Sequence, residues 1–257
     1  MTLPYDVAGG GPAILLIHNG LCDRRMWDRQ METFAGAHRV VRFDLPGFGD
    51  APAPDGEFSH AGAALAVLDE LEIGRAALVG NSLGGRVAAD VCLAAPDRVS
   101  ALVLANAGRT GWEWSEAVRR SWTEQDEAAL AGDLDRAVEL ALQLWLDGSG
   151  RPPGSVGGEL RARVAALHRR TLERELAAGD VGPERRPEGS PADIRVPTLV
   201  LVGANDVPDL VQIAASYARE IAGARPVTIP EAAHMPSLER PEEFDRLVLG
   251  FLEEVGA

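Results

Sequence analysis

Short apolar runs alternate with amphipathic stretches along most of this chain, and that alternation limits the folds open to it. The runs fall at residues 5–8, 13–18, 39–43, 76–79, 101–105, 198–202 and 224–229. Stretches with helical spacing fall at 26–35, 61–71, 84–95, 207–221 and 241–254. Strands separated by helices predict an α/β fold, a mostly parallel twisted sheet flanked by helices. Ser59 is placed to cap the second helix, and Pro241 sits where a first-turn proline is favoured. With 257 residues, 46% of them hydrophobic, the chain can bury one large core of this kind.

The alternation breaks once. From residue 109 to about 191 no strand run appears, only helical patterns at 113–131, 134–146 and 159–178, with the stretch DGSGRPPGSVGG (147–158) between the last two. The expected division is a sheet-bearing core of residues 1–108 and 192–257, with a helical cap of residues 109–191 inserted after the strand ending near Ala105. Open parallel sheets bind ligands beyond the carboxyl ends of their strands, so an insertion there would cover a ligand. Residues 182–197 read as the loop returning the chain to the sheet.

Composition removes several function classes. The net charge is −14, opposed to the concentrated positive charge that nucleic acid requires. All 25 basic residues are arginine, so neither Schiff-base chemistry nor a P-loop lysine is available. No apolar run approaches the roughly 18 residues of a membrane span, and the first residues lack a signal-peptide pattern. Cys22 and Cys92 are too few for a disulfide framework and lack metal-ligand spacing. The expectation is a cytoplasmic protein, monomeric or homodimeric, acting on a small molecule without metal or organic cofactor.

Gly80-Asn81-Ser82-Leu83-Gly84 matches G-x-S-x-G directly between a predicted strand and a predicted helix. Flanking glycines let neighbouring backbone approach closely while Ser82 occupies a strained conformation with its hydroxyl exposed. The following helix presents free N–H groups and a positive dipole end to a developing oxyanion. A serine hydroxyl needs a base. Of five histidines, His38, His60 and His168 read as structural or solvated, and His18 as a packing or loop-bracing residue. His234 stands in a loop between the last strand and the last helix. The orienting carboxylate is expected after another strand, where Asp206 follows the run ending in Gly203; Asp209 falls in the first turn of the next helix. A second site for the acid in such folds, after the strand ending at 105, holds Asn106, which cannot be anionic.

The order Ser82, Asp206, His234 is the α/β-hydrolase order, and the chain resembles that superfamily over nearly its whole length. It is most similar to the small serine hydrolases with a helical lid. FDLPGFGDA (43–51) and ILLIHNGLCDRRMW (14–27) also resemble the family's loops. The resemblance implies oxyanion donors in the N–H groups of Leu83 and Gly20. Where the family has His-Gly-x, this chain reads His18-Asn19-Gly20. Asn19 either replaces a turn glycine, since asparagine tolerates positive φ, or contacts substrate.

The implied activity is hydrolysis of an ester-, lactone- or thioester-like carbonyl through an acyl-enzyme intermediate. Alternatives are carbon–carbon bond hydrolysis, perhydrolysis or a lyase-like reaction by the same residues, or a ligand-binding sensor on this scaffold. Asn19, Leu21, Trp112 and Trp145 are candidate substrate contacts. Trp112, Trp114, Trp122 and Trp145 all fall in the insertion, with at least two expected to serve its own core. Arg109, Arg119 and Arg120 could meet an anionic substrate or pair with Glu113, Glu116 and Glu124. Cys22 could line the pocket, whereas Cys92 is expected in the core.

Overall fold

The computed structural model describes residues 3–179 and 181–257; residues 1, 2 and 180, which fall in the expected core and cap ranges, lie outside it. All six residues of β4 (Ala76–Asn81) are buried. Successive strand side chains point to opposite faces, so an unbroken buried run requires helices on both sides of the sheet. β4 is central among seven strands: β1 (Tyr5–Ala8), β2 (Ala13–Ile17), β3 (Arg39–Phe43), β4, β5 (Val99–Ala105), β6 (Thr198–Gly203) and β7 (Arg225–Ile229). Their order is β1-β3-β2-β4-β5-β6-β7, with β1 antiparallel to β3 and every other pair parallel. The chain leaves β2 for β3 on one side and returns to β4 on the other. That reversal opens a crevice beyond the carboxyl ends of β2 and β4.

The flanking helices are α1 (Asp28–Phe34), α2 (His60–Glu70) and α3 (Leu83–Ala94), then, after the segment between β5 and β6, α7 (Pro208–Glu220) and α9 (Pro241–Val255). Ser59 caps α2 by accepting from Gly62 N–H, and Pro208 and Pro241 open α7 and α9. Trp27, immediately before α1, packs against Phe244 of α9, with ring centroids 6.0 Å apart. The predicted 26–35 helix divides into a 3₁₀ turn at Arg24–Trp27, begun by the Asp23 carboxylate, and α1.

Between β5 and β6 lie α4 (Glu116–Leu130), α5 (Leu134–Leu142) and α6 (Gly158–Ala178). Ser115 and Asp133 cap the first two. The predicted 134–146 helix stops at Leu142, and Gln143–Asp147 widens into a π-helical turn. The expected loop around His234 contains one further short helix, α8 (Pro236–Glu239). No described helix is long and apolar enough to cross a membrane.

Candidate active site

The turn from β4 into α3 is crowded. A Cβ on Gly80 would lie 2.2 Å from the Gly84 carbonyl oxygen, and one on Gly84 would lie 2.1 Å from that of Ile17. Glycine is therefore required by close approach. Ser82 takes φ 55° and ψ −114°, a conformation that an L-residue holds only when its surroundings enforce it. Here they do. Its N–H donates to Ala105 O, and its carbonyl accepts from Arg86 and Gly108 N–H, each at 3.0 Å.

His234 Nδ1 lies 2.9 Å from Asp206 Oδ2, with both side chains buried. Its Nε2 is buried with no hydrogen-bond partner among the described residues. An imidazole donating through Nδ1 to a carboxylate keeps its Nε2 lone pair free to accept a proton. The backbone of His234 is also held: its N–H donates to Trp145 O at 3.2 Å, and its carbonyl accepts from Asn81 Nδ2 at 2.9 Å. The Trp145 indole lies over the imidazole, centroids 4.5 Å apart. The π-helical turn thus supplies both a backbone acceptor and an aromatic face to one histidine.

Asp206 accepts from Val207 N–H at 2.8 Å and from the Asn106 side-chain amide. Asn106 also donates to Ala233 O at 3.0 Å, joining the Asp206 and His234 loops. Asn106 has φ 45°, which asparagine tolerates better than most residues. Asp209 is elsewhere: it accepts from Ser115 N–H at 2.6 Å, at the start of α4.

The loop after β2 carries Gly20 against Leu83, whose side chain would meet a Gly20 Cβ at 3.9 Å. Leu83 N–H opens α3 and has no intrahelical partner; nothing among the described residues accepts from Gly20 N–H. Asn19 corrects the sequence expectation. It is fully buried, its φ is not positive, and its side chain braces the loop. Nδ2 donates to Asn81 Oδ1 at 2.9 Å, and Oδ1 accepts from Leu21 and Cys22 N–H at 3.0 and 2.9 Å. It therefore does not replace a left-handed glycine, and its side chain is engaged inside the protein and does not line the Ser82 cavity. His18 is also a brace: Nδ1 donates to Asn19 O at 2.7 Å and Nε2 accepts from Leu45 N–H at 3.0 Å.

Ser82 and His234 open onto a cavity of about 440 Å³, within the range of small-molecule sites. Gly20, Leu21 and Leu83 line it from the core, and Trp114, Trp122, Trp145 and His168 from the helical segment. Trp112 is a second correction: it lines a separate cavity with Val118, Gln143 and Val207, because the turn before α4 directs it toward α7. The other three tryptophans pack on one another as well as facing the cavity, so lining and self-packing are one arrangement here. Cys22 is fully buried and does not line the cavity; burial pushes its thiol up to about 12. Arg109 pairs with Glu220, and Arg119 donates to Trp114 O, so neither takes the glutamates expected as partners.

Sequence reasoning missed Asn81 and His168 as parts of this site, gave Asn106 no role beyond excluding it as the acid, and left open which of the four tryptophans line the cavity. For Asn106 a signal existed: an asparagine at a strand end, where the family's alternative acid would stand.

Comparison with known proteins agrees with this architecture. A model of the alpha/beta hydrolase family matches residues 14–247. The pimeloyl-[acyl-carrier protein] methyl ester esterase of Nitrosomonas europaea is 28% identical, aligned over 95% of this chain and 96% of its own. The dihydrolipoyllysine-residue acetyltransferase component of the acetoin cleaving system of Pseudomonas putida is also 28% identical, over 97% of this chain, which spans 66% of that protein. Among solved structures, a thermophilic esterase from Thermogutta terrifontis superposes with a TM-score of 0.81 at 26% identity, covering 99% of this chain and 94% of the other. With the family match extending from β2 into α9, the chain belongs to the alpha/beta hydrolase family and is a hydrolase of that fold.

Proposed function

We propose that this protein hydrolyses an ester-, lactone- or thioester-like carbonyl of a small molecule through Ser82, His234 and Asp206. The observation carrying this reading is the His234–Asp206 pair at 2.9 Å, with His234 Nε2 unpartnered and Ser82 at a strained turn on the same cavity. In this mechanism His234 Nε2 takes the hydroxyl proton as Ser82 Oγ attacks the carbonyl carbon. The N–H groups of Gly20 and Leu83 hold the tetrahedral oxyanion; losing one such donor typically costs about 2.7–4 kcal/mol. Asp206 holds the imidazole tautomer and stabilises the imidazolium. The protonated His234 then gives its proton to the leaving alcohol, thiol or ring oxygen. Water, activated by the same imidazole, releases the acid and restores Ser82.

Residues 109–191 act as the cap in this reading, closing the acyl chamber with tryptophans. The esterase relatives from Nitrosomonas europaea and Thermogutta terrifontis support an ester-type carbonyl. The test is fluorophosphonate labelling with peptide mapping, beside turnover of nitrophenyl esters and lactones of graded length. The expected outcome is an adduct on Ser82, with Ser82→Ala and His234→Ala each losing about 10⁶-fold in kcat while keeping a native melting transition. Absence of an adduct on folded protein would sink the proposal.

A further inference from the structure

His168 is one of the described residues that the proposed chemistry leaves unused, and its surroundings are unusual. It lies on α6, only 7% exposed, and its side chain lines the cavity that contains Ser82 and His234. Neither ring nitrogen makes a well-formed hydrogen bond among the described residues, and the Leu21 carbonyl alone lies near enough to one of them to favour its proton. A polar ring buried without partners carries a desolvation cost that a bound ligand can relieve. Burial holds the imidazole neutral near pH 7, lowering its pKa to about 4 against the opposing pull of the Leu21 carbonyl.

A neutral imidazole offers one N–H donor and one lone-pair acceptor. The Leu21 carbonyl favours the proton on the nitrogen that faces it, so the other nitrogen is a bare acceptor to which a hydroxyl can donate. A carboxylate only accepts, and the charge around the cavity is set against it. Arg86 is bound by Asp90 and Glu184, Arg186 by Glu184, and Arg109 by Glu220. Asp126 and Glu175 line the same cavity. Neither makes an ion pair among the described residues. The arginines that could attract an anion are thus paired, while Asp126 leaves an unpaired negative charge on the rim; burial and that charge raise the Glu175 carboxyl to about 7.

We infer that His168 is a specificity-determining residue which hydrogen-bonds an uncharged hydroxyl group of the substrate, making the enzyme selective for hydroxylated over carboxylated esters or lactones. The inference rests on the serine-hydrolase reading of Ser82. Sites built to pair a substrate hydroxyl discriminate strongly against the analogue lacking it, because their own polar groups are then left bare.

The test compares nitrophenyl 6-hydroxyhexanoate, hexanoate and the nitrophenyl half-ester of adipate, with a parallel alkyl hexanoate series carrying the hydroxyl or carboxylate on the alcohol. In the intact enzyme, kcat/KM should be at least tenfold higher for the hydroxylated member of one series than for its plain and carboxylated counterparts. In His168→Leu that ratio of hydroxylated to plain ester should fall at least tenfold, and His168→Gln, which keeps a donor and an acceptor, should restore part of it. Preference for the carboxylated ester, no hydroxyl preference in either series, or an unchanged ratio in His168→Leu each overturns the inference. The wild-type panel decides even if the leucine variant does not fold. Fluorophosphonate labelling of Ser82 is run on the same preparation. A labelled enzyme without hydroxyl selectivity refutes the role of His168 alone, whereas an unlabelled one refutes the hydrolase reading beneath it.

Discussion

Asp206 and Asp209 stand three residues apart, one in the loop after β6 and one in the first turn of α7, and the fold gives them unrelated partners. Asp206 is held against His234 by Asn106 and Val207 N–H, whereas Asp209 accepts from the backbone of Ser115. Asp206→Asn should therefore reduce kcat by about 10⁴-fold, because the amide no longer favours the tautomer with Nε2 free. Asp209→Asn keeps an acceptor for Ser115 N–H; it should change kcat less than twofold and lower stability by about 1 kcal/mol. Steady-state kinetics and urea denaturation of the two variants separate these effects. A larger kinetic loss in Asp209→Asn would reassign the acid. The same scale explains why Asn19 was misread. Its residue type fits a left-handed turn, but its side chain is taken by two hydrogen bonds inside the loop and one to Asn81 of β4.

The helices between β5 and β6 depend on a carboxylate that neither binding nor chemistry uses. Asp147 ends the π-helical turn and is fully buried. It accepts from Gly154 and Val156 N–H at 2.6 and 3.0 Å and pairs with Arg161 of α6 at 3.1 Å. One side chain thereby ties the π-helical turn, which carries Trp145, to the loop before α6. Asp147→Ala strands these groups and should cost about 3 kcal/mol. The expected readings are a lower urea midpoint and faster limited proteolysis within residues 148–157, with KM rising as the Trp145 wall loosens. Unchanged proteolysis would show that the segment is held elsewhere. The helical spacing of residues 134–146 was legible, but the π-helical widening was not. It depends on what Trp145 meets across the cavity, and that is outside the local pattern.

Across the whole molecule, buried histidines and buried carboxyls set opposing responses to acid. Burial lowers His60 and His168 to about 4, and His18 also falls below its ordinary value. At these rings the unfolded chain then binds more protons than the native one between about pH 6.5 and 4, so their contribution to stability falls as pH falls through that window. His60 and His168 each contribute up to about 1.4 kcal/mol per pH unit there. Asp90, raised by burial to about 6, and Glu175, raised to about 7, act in the opposite sense over much of the range. Urea unfolding at pH 7 and pH 5 should therefore show little net change, and His60→Leu should tilt the dependence toward greater relative stability at pH 5 by about one histidine's share. An unchanged pH dependence in His60→Leu would show that burial of this ring carries no such penalty.

The sequence by itself determined the parallel sheet, its mostly correct strands and helices, and the serine turn. These rest on local physics: apolar spacing sets which face is buried, and crowding between β4 and α3 admits only glycine at certain places. Only the tertiary structure decided which side chains meet. Asn19 reaches Asn81 across 62 residues, Asn106 reaches Asp206 across 100, and Asn81 reaches His234 across 153. Such pairs depend on strand order and loop path, which no local spacing encodes. His168 carries the same lesson. Its helix was legible, but which face of that helix turns toward the cavity was settled by packing against the rest of the chain.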